Sequence, residues 1–340
     1  MKIGGFDLDQ KVLVIAEIGN NHEGSYALAE ELVGQAARAG AGAVKFQTIV
    51  PRRLVAADQA DRIRQLERFQ LSYEQFTRLS KMAAREGVLF LSTPFDLDSA
   101  RFLEPLVPAY KIASGDNTFL PLLEVVAGTG KPLILSTGLL GLEQVAGVRD
   151  FIAGQWRRQG LVQDLALLHC VVNYPTAPEH ANLLAIRTLQ SLGCTVGYSD
   201  HTLGIEAAVL AVALGARIIE KHFTLSKTQS EFRDHQLSAD PSELGQLVAR
   251  VGEAGVLLGE GRKELGANER DIEGRVRRSL AAGRPLEKGA VLRREDLAWV
   301  RPSGGLAPGR EEEVLGKALR RDLAEGEPIA LEDCEGARGG

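Results

Sequence analysis

A chain of 340 residues, 44% hydrophobic and 25% charged, has the make-up of a globular protein with room for one large core and a smaller companion domain. A net charge of −5 and an isoelectric point near 5.8 exclude a broad nucleic-acid surface but leave room for local basic pockets. The opening residues carry no secretory leader, no apolar run is long enough to span a bilayer, and three cysteines without a CxxC pattern read as free thiols. A cytoplasmic protein with neither nucleic-acid nor membrane partners is expected.

Short runs rich in apolar and β-branched residues recur along the first three quarters of the chain, at 12–19, 43–48, 89–95, 109–115, 131–138, 165–171, 195–201 and 217–223. Amphipathic segments at 26–39, 72–86, 121–128, 179–192 and 205–214 lie between them, several closed by a glycine (Gly40, Gly87, Gly193, Gly215) as helix ends require. Eight strand–helix units in about 260 residues match a closed (β/α)8 barrel in number and length. A doubly wound open sheet is the competitor, but no strand runs into a GxGxxG turn. The arginines at 52, 53, 62, 64 and 68 are mixed with acids and read as a solvated helix face. Cys170, in an apolar run, reads as core.

Nearly every strand ends on polar residues. They are Glu17; Lys45 and Gln47; Ser92 and Thr93; Lys111 and Ser114; Ser136 and Thr137; His169 and then Tyr174; Ser199 and His201; Glu220 and His222. Period-two alternation puts Lys45 with Gln47, and Glu220 with His222, on one face, and turns Lys221 outward to the helices. A ring of polar groups at one barrel mouth is costly to bury unless ligand or water satisfies it, so the mouth is a polar pocket. Lys45 and Lys111 supply point charges for a phosphate or carboxylate, and each alternatively forms a structural ion pair with Glu17 or Glu220. Ser114, Ser136 and Ser199 add hydroxyl donors, and Glu17 is the carboxylate best suited to proton transfer. His201 and His222 end neighbouring strands. On spacing alone they either share a divalent metal or are two separately hydrogen-bonded histidines.

A final helix at 242–258 closes the first domain, residues 1–258. Residues 259–275 are charged and glycine-punctuated, which suits a linker. From 276 to 336 the style changes to short β stretches with Gly/Pro turns, and 286–297 echoes 323–334, the mark of an internally duplicated β unit. A glycine-rich loop there carries Arg301.

The motifs IAEIGNNHEG, VKFQT, FLSTPFD, YKIASGD, LSTG, LHCVVNYPT, GYSDHT and IEKHFT, spread over residues 15–224, closely resemble those of the sialic acid synthase family, and the tail resembles its small antifreeze-like (SAF) domain. The resemblance implies a TIM barrel followed by a mainly-β SAF domain. The implied reaction condenses phosphoenolpyruvate with an N-acylated amino sugar into a nine-carbon acid for surface glycans. It implies that His201 and His222 ligate a catalytic divalent metal, often manganese in the family, with magnesium or cobalt as alternatives. Lys45, Thr93, Lys111, Ser114, Ser136 and Ser199 would hold phosphoenolpyruvate, and Glu17, Gln47, Tyr174 and Asp234 would line the sugar and the reacting centre. Arg301 matches an arginine that one subunit inserts into its partner's barrel, implying a domain-swapped homodimer. Three departures fall on the sugar side: Val172 replaces a polar residue, Asp116 stands where many relatives have Glu, and FRDH (232–235) replaces GPDH. Two other classes remain as alternatives. One is a barrel aldolase or related synthase acting on a different, phosphorylated sugar, with a Schiff base on Lys111; the other is a non-catalytic sugar-binding homologue.

Overall fold

The eight apolar runs form eight parallel strands in the computed structural model, which describes residues 1–336. They are β1 (Leu13–Gly19), β2 (Ala43–Thr48), β3 (Leu89–Pro94), β4 (Tyr110–Ile112), β5 (Leu133–Ser136), β6 (Leu165–Cys170), β7 (Thr195–Asp200) and β8 (Ile218–His222). Their order is β3-β2-β1-β8-β7-β6-β5-β4. The last strand thus pairs with the first (His222 beside Glu17), and β3 and β4 lie against one another without a ladder to close the ring. Each strand is followed by a helix: α1 (Tyr26–Arg38) after β1, α2 (Ala60–Phe69) and α3 (Tyr73–Arg85) after β2, and α4 (Leu97–Leu103) after β3. Then come α5 (Leu120–Gly128), α6 (Leu142–Arg158), α7 (Ala185–Gln190), α8 (Glu206–Ala213) and α9 (Pro241–Leu258). This is the (β/α)8 barrel that the strand count predicts.

Local chemistry sets the boundaries. Ser72 and Gln75 form a capping box ahead of α3, and Asp240 and Glu243 form another ahead of α9, each satisfying amides that helix starts leave open. The predicted strand 109–115 stops at Ile112 because Ser114–Asp116 turns into a 3-10 helix. The predicted helix 179–192 splits into a 3-10 turn (Pro178–His180) and α7, with Asn182 at φ +43 between them, a conformation that no α-helix carries. Helices α2, α4 and α6 are not among the segments singled out from periodicity.

Alternation along each strand builds two layers at once. Outward residues such as Val14, Val44, Phe90, Leu135, Leu167 and Ile219 join the helices in one apolar shell. Inward residues at the strand starts, including Leu13, Ile15, Leu91, Ile134, Leu168 and Ile218, make a separate plug, sealed by Ile3 and Leu8 from the N-terminal ribbon. Gly197 leaves space inside this plug, because a Cβ there would collide with Leu168 and the Ile218 carbonyl. One step further along each strand the inward residues become polar, so the barrel floor is oil and its mouth is charged. Lys221 does point outward, where its Nζ pairs with buried Asp200 at 2.9 Å.

The contacts divide the chain into two units after Glu260. Residues 259–275, read as a linker, carry all but the last residue of the helix α10 (Ala267–Val276). In the second unit β9 (Ser279–Ala282) pairs antiparallel with β10 (Leu297–Val300) around a small core that includes Leu280, Leu292, Val314, Leu319 and Ile329. The sequence echo is structural. Arg284 Nε donates to Asp296 at 2.9 Å and Arg321 Nε to Asp333 at 2.5 Å, each across 12 residues, and each aspartate also caps its own 3-10 turn. Leu286 and Leu323 bridge the two halves. Among the described residues no helix is long and apolar enough to cross a membrane. The described cysteines are free thiols, with no disulfide among them.

Candidate active site

Most of the polar strand ends converge on one cavity of about 600 Å³ at the C-terminal mouth of the barrel, a size that accommodates small-molecule ligands; Ser92, Thr137 and His169 do not line it and bond instead to Thr48 and to the Leu168 and Ala181 carbonyls. At its base two lysines and two glutamates interlock. Lys45 Nζ lies 2.8 Å from Glu17 and 3.7 Å from Glu220, and donates to Thr93 Oγ1 at 3.3 Å. Lys111 Nζ lies 3.6 Å from Glu220 and donates to Ser136 Oγ at 2.7 Å and to the Ile112 carbonyl at 3.1 Å. Ser199 donates to Glu220 at 2.9 Å, and Gln47 donates to Glu17 at 2.9 Å. Strand register makes this arrangement, since Glu17 stands opposite both Lys45 and His222, and Glu220 opposite Ser199.

Burial is nearly complete: Lys45 is 3% exposed and Lys111 2%. Burial opposes ionisation of Glu220, yet Lys111 and Lys45 outweigh it and hold the carboxyl down at about 2. For Glu17 burial wins over Lys45, and its pKa rises. Burial likewise lowers Lys111, only partly offset by Glu220, whereas Glu17 and Glu220 carry Lys45 upward against the same burial cost. The buried Oε2 atoms of Glu17 and Glu220 both face the Lys45 ammonium, at 2.8 and 3.7 Å.

The two histidines sit above this layer with ring centroids 5.6 Å apart. His201 Nδ1 donates to the Val171 carbonyl at 2.7 Å, which leaves the Nε2 lone pair to act as a ligand. His222 is held neutral by burial, and its Nδ1 is buried without a partner. An imidazole whose Nδ1–H is spent on a backbone carbonyl and a second, kept neutral by burial, with an unmet nitrogen fit a divalent transition metal. Among the described residues no cluster of three or more His, Cys, Asp or Glu forms a metal site. An ion held here would therefore draw two ligands from imidazole and the rest from substrate or water. Tyr174 packs on His201 at 4.1 Å and edge-on to His222 at 6.0 Å, and the Arg233 guanidinium covers its other side at 4.7 Å.

Of the residues expected from sequence, Glu17, Lys45, Gln47, Thr93, Lys111, Ser114, Ser136, Tyr174, Ser199, His201, His222 and Asp234 all line this cavity. Asp116 is not among the lining residues. It closes the 3-10 turn that Ser114 opens, and at three residues per turn it points elsewhere. Its Oδ2 is buried without a partner, and burial lifts its pKa to about 6. Arg301 is exposed and belongs to the second unit. Cys170, read as core, is 6% exposed, and Arg62, read as solvated, is exposed, yet both also face the cavity. Cys170 lines the cavity, its Sγ 3.9 Å from His201 Nδ1, because the sixth and last residue of β6 has already reached the polar layer. Arg62 also lines the cavity together with Gln65. The mixed charges of α2 conceal a stripe of Ile63, Leu66 and Phe69 that buries its other side, and that stripe is the signal from which the orientation could have been read.

Taken together, a (β/α)8 barrel with a buried ammonium–carboxylate layer and paired imidazoles at its catalytic face defines an enzyme that handles a small anionic substrate. Residues 32–263 match the NeuB family and residues 277–335 the SAF domain, and the chain belongs to the NeuB family of sialic acid synthases, transferases that form a carbon–carbon bond. It is 40% identical to N,N'-diacetyllegionaminic acid synthase of Legionella pneumophila, covering 95% of this chain and 94% of that protein. It is 37% identical to pseudaminic acid synthase of Campylobacter jejuni, covering 98% and 100%. A crystal structure of N-acetylneuraminic acid (sialic acid) synthetase from Leptospira borgpetersenii, in complex with citrate, superposes with a TM-score of 0.73 at 35% identity over 80% of this chain and 92% of that one.

Proposed function

We propose that the protein condenses phosphoenolpyruvate with an N-acylated amino sugar, N-acetylmannosamine or a related hexosamine, to give a nine-carbon nonulosonic acid and inorganic phosphate for surface-glycan synthesis in the cytoplasm. The observation that carries this reading is the pair of buried ammonium groups, Lys45 and Lys111, on one cavity with His201 and His222. Lys45 and Lys111 hold the phosphate and carboxylate of phosphoenolpyruvate, with Thr93, Ser114, Ser136 and Ser199 donating to the oxygens that remain. A divalent metal, manganese for preference, would sit on His201 and His222 and polarise the open-chain sugar aldehyde as a Lewis acid.

The methylene carbon of phosphoenolpyruvate forms the new bond to the aldehyde carbon, and the aldehyde oxygen takes up the proton that Glu17, its pKa raised, carries once phosphoenolpyruvate is bound. Water then adds to the carbon that bears the phosphate, its proton passing to the Glu17 carboxylate so formed. The bond from that carbon to the bridging oxygen then breaks, leaving the keto group of the product and free phosphate beside the two lysines. Gln47 orients Glu17 through its 2.9 Å hydrogen bond, while Tyr174 and Asp234 flank the sugar. Exposed Arg301 completes the mouth from a partner subunit in a domain-swapped homodimer.

The test supplies phosphoenolpyruvate, manganese and a panel of N-acylated hexosamines, and follows phosphate release and product mass. Phosphate released with one of the sugars, and lost in His201→Ala and His222→Ala, supports the reading; no release with any sugar overturns it, and full activity in chelator removes the metal. The lowered pKa of Lys111 favours a second reading, an aldolase working through a Schiff base, and borohydride trapping of a sugar on Lys111 would establish it.

A further inference from the structure

The strand-borne half of the cavity is accounted for by the chemistry above, whereas its loop-borne half is not. Arg62 and Gln65 on α2, and Glu231, Phe232 and Arg233 in the loop after β8, line the same cavity. This rim is fastened at three points. Phe69 of α2 meets Phe232 edge to face, centroids 5.1 Å apart. Gly24, at φ +83 in the loop after β1, lies so close to α2 that a Cβ would collide with the Arg68 carbonyl. Buried His235 has Nδ1 2.7 Å from Thr224 Oγ1 and Nε2 3.0 Å from Glu23, tying the β8 loop to the β1 loop. Aromatic contact, close backbone approach and a buried imidazole make a preorganised surface from three separate loops.

Direction follows from the reaction. The sugar carbon that joins phosphoenolpyruvate must reach the buried layer, so the opposite end of the sugar is left among these loops. Arg62 Nη1 donates to Gln65 Oε1 at 2.6 Å, whereas its neighbours Arg52, Arg53 and Arg64 are each paired with a carboxylate. The rim carries two guanidinium groups, Arg62 and Arg233, against two carboxylates, Glu231 and Asp234. A phosphate dianion gains little from a rim that is balanced in charge. An amide carbonyl accepts a charge-assisted hydrogen bond there and brings no charge to desolvate.

We propose that this rim is the specificity subsite for the far end of the sugar, and that Arg62 reads an uncharged acylamido substituent there. The inference rests on the synthase reading above.

The test compares steady-state kinetics of the wild type, Arg62→Ala and Arg62→Lys with three sugars, each beside phosphoenolpyruvate and manganese. The sugars are N-acetylmannosamine, its 6-phosphate and a 6-deoxy diacetamido hexose. Losing one charge-assisted hydrogen bond, Arg62→Ala lowers kcat/KM for the diacetamido sugar about tenfold relative to N-acetylmannosamine. The loss falls in KM for the sugar, with KM for phosphoenolpyruvate unmoved and partial recovery in Arg62→Lys. Arg64→Ala, on the same helix but paired with Asp61, changes nothing. Equal losses for all sugars, no loss at all, or wild-type preference for the 6-phosphate overturns the assignment while leaving the synthase reading intact. A wild type that releases phosphate with none of the three sinks both.

Discussion

Replacing Lys45 by Met tests whether the charged layer at the barrel mouth is held by balance of charge or by packing. Met keeps most of the side-chain stem and removes the ammonium, which lies 2.8 Å from Glu17 and 3.7 Å from Glu220. At an effective dielectric of about 20, the closer pair alone represents roughly 6 kcal/mol of gross attraction. Leaving two carboxylates buried around one remaining lysine is dearer than protonating one of them, so protonation wins. Glu17, already raised by burial, takes the proton. Its carboxyl is ionised in the unfolded chain above 4.5, so holding it neutral at pH 7 spans roughly 2.5 pH units and costs about 3 kcal/mol. The sign follows: in the variant the folded-state pKa lies above the unfolded one. The penalty is therefore absent below pH 4.5 and grows by about 1.4 kcal/mol for each unit that pH rises toward the folded value. The assay is urea unfolding at pH 5, 6 and 7 in a Trp299→Phe background, where Trp156, 6% exposed within the barrel unit, reports alone. Because the parent's raised Glu17 already bears part of this cost, the loss relative to the parent grows with pH and is at most about 1 kcal/mol at pH 5 and about 3 at pH 7, with phosphate release abolished throughout. A loss independent of pH would refute the charge argument and assign the effect to packing.

Two further outcomes follow from the same chemistry. His22 is 1% exposed and burial holds its pKa down at about 4 from an ordinary 6.5. The unfolded chain therefore binds a proton between those values that the folded chain refuses, and stability should fall by about 3 kcal/mol as pH drops from 6.5 to 4. The same unfolding assay should find that slope reduced in His22→Gln, and an unchanged slope would remove His22 from the account. Binding of phosphoenolpyruvate should also draw protons from solution, because a new anion beside Glu17 raises a pKa that burial has already raised. Calorimetry in buffers of different ionisation enthalpy measures that uptake, and a zero value would show that Glu17 stays charged.

The parts of the fold and site that were legible in the sequence share a cause. Period-two alternation puts Lys45 with Gln47, and Glu220 with His222, on the face toward the barrel axis, and the polar strand ends Glu17, Lys111, Ser136 and Ser199 meet them at one mouth. Turn chemistry was less legible. The 3-10 turn at Ser114–Asp116 carries Asp116 out of the lining, and Asn182 at φ +43 breaks a segment whose apolar spacing reads as one helix. Contacts between loops were not legible at all. Nothing in the spacing of Phe69 and Phe232, or of Gly24 and Arg68, announces that they meet, because each pair is brought together by strands far apart in sequence. Arg62 reads from sequence as a solvated residue and is exposed; that it also faces the cavity is legible only through the Ile63, Leu66 and Phe69 stripe that buries the other side of its helix.

The contrast between the two halves of the cavity has a physical basis. Strand-borne groups are held by ladders over an apolar plug, where low dielectric strengthens every charge interaction and unpaired charge is intolerable. Two lysines can be kept there without ligand only because Glu17 and Glu220 neutralise them, and the same pairing makes their release to an arriving anion a matter of one proton on Glu17. Loop-borne groups face no such constraint. Arg62, Glu231 and Arg233 are exposed enough to be exchanged with little effect on the plug beneath. A barrel built this way can therefore keep one carbon–carbon-forming chemistry at its base while the side chains at the rim are free to differ.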